Sequence, residues 1–145
     1  MNMQRTLLVS GLAFVAVVAA CSGGDKPAAD QSASASAATS GAPAPGGKII
    51  VVKLITDGTS NRFEPNEIEA HKGDVIRFTL GVGVHNVHFL PESNPGKSGL
   101  PPASDMLQLP GQTYDLPVTF AKGKYYFQCD PHALLGMTGH LKVED

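Results

Sequence analysis

Cys129-Asp130-Pro131-His132-Ala133-Leu134-Leu135-Gly136-Met137 places a thiolate, an imidazole and a thioether three and then five residues apart. The segment leaves one expected strand and enters another, so it must be a tight loop that can aim all three side chains at one centre. One more imidazole completes a His₂Cys set with a weak axial methionine, the donor set of one-electron copper sites. The chemistry suits the residue types. A thiolate gives a strong covalent bond, and a long thioether contact favours Cu(I). A site held between the preferences of Cu(I) and Cu(II) limits rearrangement on each transfer. Metal binding itself supplies the low effective pKa that the thiolate needs.

The further imidazole comes from His71, His85, His88 or His140. His85 is the best candidate, because its Val-His-Asn-Val segment emerges from the Gly81-Val82-Gly83 break. His85 and His88 differ by an odd number, so in a regular strand they face opposite ways and do not share one metal. His71 lies in a polar Ala-His-Lys-Gly-Asp turn, and His140 lies in the last expected strand, past the metal loop.

Other chemistries fit less well. A Cys-His nucleophile pair needs acid/base and oxyanion apparatus, none of which is evident, so no enzyme is expected. A multicopper enzyme needs a His-x-His cluster, a dinuclear copper site needs a second loop cysteine, and methionine is a poor zinc ligand. Copper storage or delivery could use the same four residues, but open Cu(I) sites favour Met-rich tracts. Here two of the four methionines, Met1 and Met3, fall in the leader.

The elements that must position the site read as all β. Lys48–Thr56 is rich in β-branched residues and ends at the Asp57-Gly58 turn signal. Phe63, Pro65 and Ile68 fall in an irregular segment ending at Lys72-Gly73-Asp74. Val75–Leu80 alternates, and Val84–Leu90 is a further strand candidate. A Pro/Gly/Ser-rich connection runs from Pro91 to about Asp105. Thr113–Phe120 and Tyr125–Cys129 are strands joined by a hairpin turn at Ala121–Lys124, and Thr138–Val143 is the last. No sustained helical periodicity appears. A formal net charge of −2 leaves no basic excess for nucleic acid.

The N-terminus reads as an export signal. Arg5 precedes the apolar run Leu7–Ala20, which is short for a membrane span of about 20 residues. The Val18-Ala19-Ala20-Cys21 ending resembles a bacterial lipoprotein signal, in which the cysteine carries the lipid. Ser22–Gly47 contains no large apolar residue and reads as a flexible tether. The expected organisation is therefore a signal peptide over 1–20, lipidated Cys21 with its tether over 21–47, and a folded domain over 48–145. The domain would be exported and lipid-anchored, facing the periplasm or the cell exterior. Cys21 and Cys129 then have separate tasks, and no disulfide is expected.

The segments HKGDVIRF, VHNVHF and LPGQTYDLPVTFAKGKYYFQCDPHALLGMTGHLKVED resemble plastocyanin-type small blue copper proteins of the cupredoxin fold. The resemblance covers most of Lys48–Asp145. It implies an antiparallel Greek-key β-sandwich of about seven or eight strands holding one copper through His85, Cys129, His132 and Met137. It implies that Asn86 ties the two ligand-bearing segments together by hydrogen bonding. It also implies that His132 reaches the surface in an apolar docking patch made by Pro131, Ala133, Leu134 and Leu135. The expected partners of this monomeric carrier are redox proteins such as a cytochrome or a membrane oxidoreductase. Gln128 stands where the plant and algal proteins carry a tyrosine.

Overall fold

β-Branched residues dominate Ile49–Asp57 (β1), and its inward positions Val52 and Leu54 are fully buried. The computed structural model describes residues 41–145. The signal segment, Cys21 and most of the expected tether lie outside them. Gly58, at φ +51°, turns β1 back into Ser60–Glu64 (β2). Glu67–His71 (β3), Val75–Val82 (β4), Thr113–Pro117 (β5), Gly123–Gln128 (β6) and Thr138–Glu144 (β7) follow. One sheet runs β2-β1-β4-β5 and the other β3-β7-β6.

Four sequence expectations change. First, the sheets are mixed rather than antiparallel: β1 pairs β4 in parallel, and so do β3 and β7. After the β1–β2 hairpin the chain crosses to the second sheet for β3. It then returns beside β1 running the same way. Second, the segment read as irregular contains β2 and β3, which Pro65 and Asn66 interrupt. Third, Ala121–Lys124 is not a hairpin turn, because β5 and β6 belong to different sheets. Fourth, Val84–Leu90 is no strand. It is an extended crossing pinned by two isolated bridges, His85 to Leu107 and His88 to Gln128.

The core lies between the sheets. Phe127 meets Phe63 and Phe78 edge-on, with centroids 4.9 and 5.7 Å away, while Phe89 stacks on Phe120. Each such side chain contributes roughly 1.5–3 kcal/mol on burial. Tyr125 is buried too, and its hydroxyl donates to the Ala121 carbonyl at 2.7 Å. Buried Asn94 pins the 91–105 connection to β6. Its amide donates to the carbonyls of Leu90 and Tyr126, and its oxygen accepts from the Tyr126 amide.

The first described residues engage the domain as well. The Ala44 amide donates to the Gly73 carbonyl at 2.9 Å, and the Gly47 amide donates to the Ala44 carbonyl. Among the described residues no helix is long and apolar enough to cross a membrane.

Candidate metal centre

β6 ends at Gln128 and delivers Cys129 to one end of the sandwich, fully buried. A 3₁₀ helix over Asp130–Leu135 then makes the loop and stops at Gly136, whose φ of +88° suits a residue without a Cβ. The loop is cinched by backbone bonds. The Cys129 amide donates to the Met137 carbonyl at 3.1 Å, and the Met137 amide donates to the His132 carbonyl at 3.1 Å. Met137 is fully buried at the entrance to β7.

The crossing segment brings His85 to the same place. The bridge to Leu107 holds it on one side, and the His88 bridge to Gln128 ties the segment to the end of β6 on the other. His85 Nδ1 lies 3.2 Å from His132 Nδ1 and 3.5 Å from Cys129 Sγ, and His132 Nδ1 lies 3.4 Å from the same sulfur. The centre of this triangle is roughly 2 Å from each corner, which is metal–imidazole bonding distance. It is the one group of three such donors found among the described residues.

The tautomer of His85 turns a lone pair toward that centre. His85 Nε2 is 3.0 Å from the Val82 carbonyl, which can only accept. The ring hydrogen is therefore on Nε2, and Nδ1 presents a lone pair to the centre. That lone pair, the Cys129 sulfur and the His132 Nδ1 nitrogen converge on one centre. Burial holds His85 below the ordinary imidazole value, with the Val82 carbonyl opposing that shift. Burial also raises the Cys129 thiol, against the pull of the Asn86 and His132 amide hydrogens. A metal must displace that thiol proton, so uptake releases it.

Asn86 bonds across the two segments. Its oxygen accepts from the Asp130 amide and its amide donates to Asp130 Oδ2, both at 2.8 Å. Asp130 also faces Nδ1 of half-buried His88 at 3.0 Å and accepts from Gln128 Nε2 at 3.0 Å. Burial would raise this carboxyl, but the donors from Gln128, Asn86 and His88 outweigh it and hold it below the usual range. Sequence reasoning missed Asp130 as the hub, because its partners lie up to 44 residues away.

The remaining histidines lie elsewhere. His71 is half-exposed near Asp74 and Glu144, and His140 pairs with Glu67 at 2.7 Å. Around half-buried His132 the loop is apolar and open. Pro131 is exposed, Ala133 is half-buried, Leu134 is 101% exposed and Leu135 is 68% exposed. Leu109, at 65%, is the next most exposed large apolar side chain.

Residues 50–144 match the family described as copper binding proteins, plastocyanin/azurin family. A plastocyanin from Vicia faba is 40% identical over 88 residues, which is 56% of this chain and 86% of that protein. A mutant fern plastocyanin, solved in oxidised and reduced forms, superposes with a TM-score of 0.53 at 28% identity. The match covers 65% of this chain and 99% of that one. An amicyanin mutant in a reduced Cu(I) form gives a TM-score of 0.52 at 29% identity, covering 66% of this chain and 82% of that one.

Proposed function

The chain belongs to the plastocyanin/azurin family of copper-binding proteins, and on that premise we propose that His85, Cys129, His132 and Met137 hold one copper ion for one-electron transfer. The carrying observation is the triangle of Nδ1, Sγ and Nδ1 atoms, with buried Met137 following in the same loop. Bound there, copper supplies a one-electron couple between Cu(I) and Cu(II). Oxidised and reduced forms are known for the fern relative, which supports a carrier rather than a store.

The protein's own residues do the rest. The β6 end and the pinned crossing segment hold Cys129 and His85 in buried positions, and a donor set held this firmly limits movement between oxidation states. Asn86 and Asp130 lock the crossing to the loop and orient the donors. Burial of His85, Cys129 and Met137 keeps water away from three of the four donors. Half-buried His132 carries the donor set toward the surface, among Pro131, Ala133, Leu134 and Leu135. Exposed leucines beside it offer a partner a contact that excludes water.

The setting belongs to the same proposal. Cys21 carries a lipid, the residues from Ser22 up to the Ala44 and Gly47 contacts tether the domain, and the carrier works outside the cytoplasmic membrane with membrane-bound or periplasmic redox partners. The leader composition and the small-small-Cys ending support this.

The test is the copper-loaded protein itself. In the oxidised state it should be intensely blue or green from thiolate-to-copper charge transfer. It should also cycle repeatedly between oxidised and reduced forms while retaining its copper. A colourless Cu(II) form overturns the site, and copper loss on reduction overturns the carrier role in favour of delivery.

A further inference from the structure

His85 has more holding it than the Val82 carbonyl. Thr56, at the end of β1, places its hydroxyl oxygen 3.1 Å from His85 Nε2. That hydroxyl donates its own hydrogen to Asn61 Oδ1 at 2.7 Å, across the β1–β2 hairpin where the two residues are direct partners. With its hydrogen committed, the oxygen turns a lone pair toward the imidazole. The Nε2 hydrogen is thus shared between the Val82 carbonyl and Thr56.

Two glycines make the approach possible. The β1–β4 register shifts after Leu54–Leu80, so that Ile55 pairs with Val82 and Gly81 is left over as a bulge. The bulge re-aims Val82 toward the imidazole. A Cβ on Gly83 would come within 2.5 Å of the Thr56 hydroxyl and 2.6 Å of His85 Nε2, and φ there is +106°. Only glycine leaves space for the contact.

We propose that Thr56, oriented by Asn61, is a positioning residue for the copper centre that lowers its reduction potential through His85. An acceptor on the far nitrogen makes the ligating nitrogen more basic and fixes the ring's tilt. A more basic ligand favours the higher charge of Cu(II). This rests on the copper reading above. A purely structural alternative exists: the hydroxyl could only brace the hairpin between its paired residues.

The potential separates the two. Thr56→Val keeps the shape of the side chain and removes the acceptor. It is expected to weaken the hold on Cu(II) relative to Cu(I) by about tenfold, which is a shift of about 59 mV to more positive potential. Thr56→Ser restores the parent value. Asn61→Ala shifts the potential the same way by less, since the hydroxyl is then free to turn. Thermal melting of the apoproteins runs alongside. A blue parent whose Thr56→Val and Asn61→Ala variants lose melting temperature at unchanged potential overturns this proposal alone. A parent without coloured copper overturns the copper reading and this proposal together.

Discussion

The two ends of the sandwich are built on opposite rules. β1 and β4 run side by side from Ile49 and Val75 at one end to Ile55 and Val82 at the other, a span of about 20 Å. At the metal end the polar donors His85 and Cys129 are buried, while Leu134 and Leu135 stand in solvent. At the far end charged side chains face solvent, some of them paired, as Lys122 with Asp145 and Lys142 with Glu144. Buried Asp74 accepts there from the amides of Lys48 and His71, both at 2.9 Å. The far end follows the usual partition of apolar and polar groups, and the metal end inverts it. Inversion has a cost unless something fills the donors and covers the leucines, so function is written where the partition fails.

The largest effect should come from the donor triangle. Cys129→Ser should abolish the charge-transfer colour completely, because it removes the sulfur from the triangle. An absorption spectrum of the copper-loaded variant decides this. Retained intensity would mean that the buried donors are ordinary core.

A charge among the exposed leucines tests the other half of the inversion. Leu135→Glu should lower the rate of electron exchange with a redox partner by about tenfold, roughly 1.4 kcal/mol, and leave the copper spectrum unaltered. Stopped-flow mixing measures the rate. An unchanged rate would remove the docking role from this patch.

The smallest effect, and one silent at copper, belongs to the far end. Burial alone would raise the Asp74 carboxyl, but the amide hydrogens of His71 and Lys48 more than offset it and hold it below the usual range. The folded state thus favours the ionised form. That contribution is present above the unfolded carboxylate value near 3.9 and is lost as pH falls through the lower folded value. Asp74→Asn should cost about 1–3 kcal/mol near neutrality, with a gap to the parent that closes in acid. Denaturant melts across pH would show it. A change in copper colour would contradict the independence of the two ends.

The donors in the Cys129–Met137 loop were legible in the sequence because nine residues contain all three and chain connectivity alone keeps them close. Most strands were legible too, since β-branched and alternating runs carry their own periodicity. The pairing of those strands was not. A turn such as Ala121–Lys124 reads alike whether the chain folds back or crosses to another sheet, and only packing decides between them. Pro65 and Asn66 break the alternation that would have marked β2 and β3. His85 joins the donor triangle and His88 meets Asp130 instead, yet the segment is a pinned crossing rather than a strand. The Leu107 and Gln128 bridges, rather than a strand's alternation, set where each of them lies. What the sequence by itself determined is the local chemistry: which residues can bind, and which loop presents them. Tertiary structure alone decided what surrounds them. Thr56 reaches His85 across 29 residues and His88 reaches Asp130 across 42, and contacts at such separations exist only once two sheets have closed on a common core.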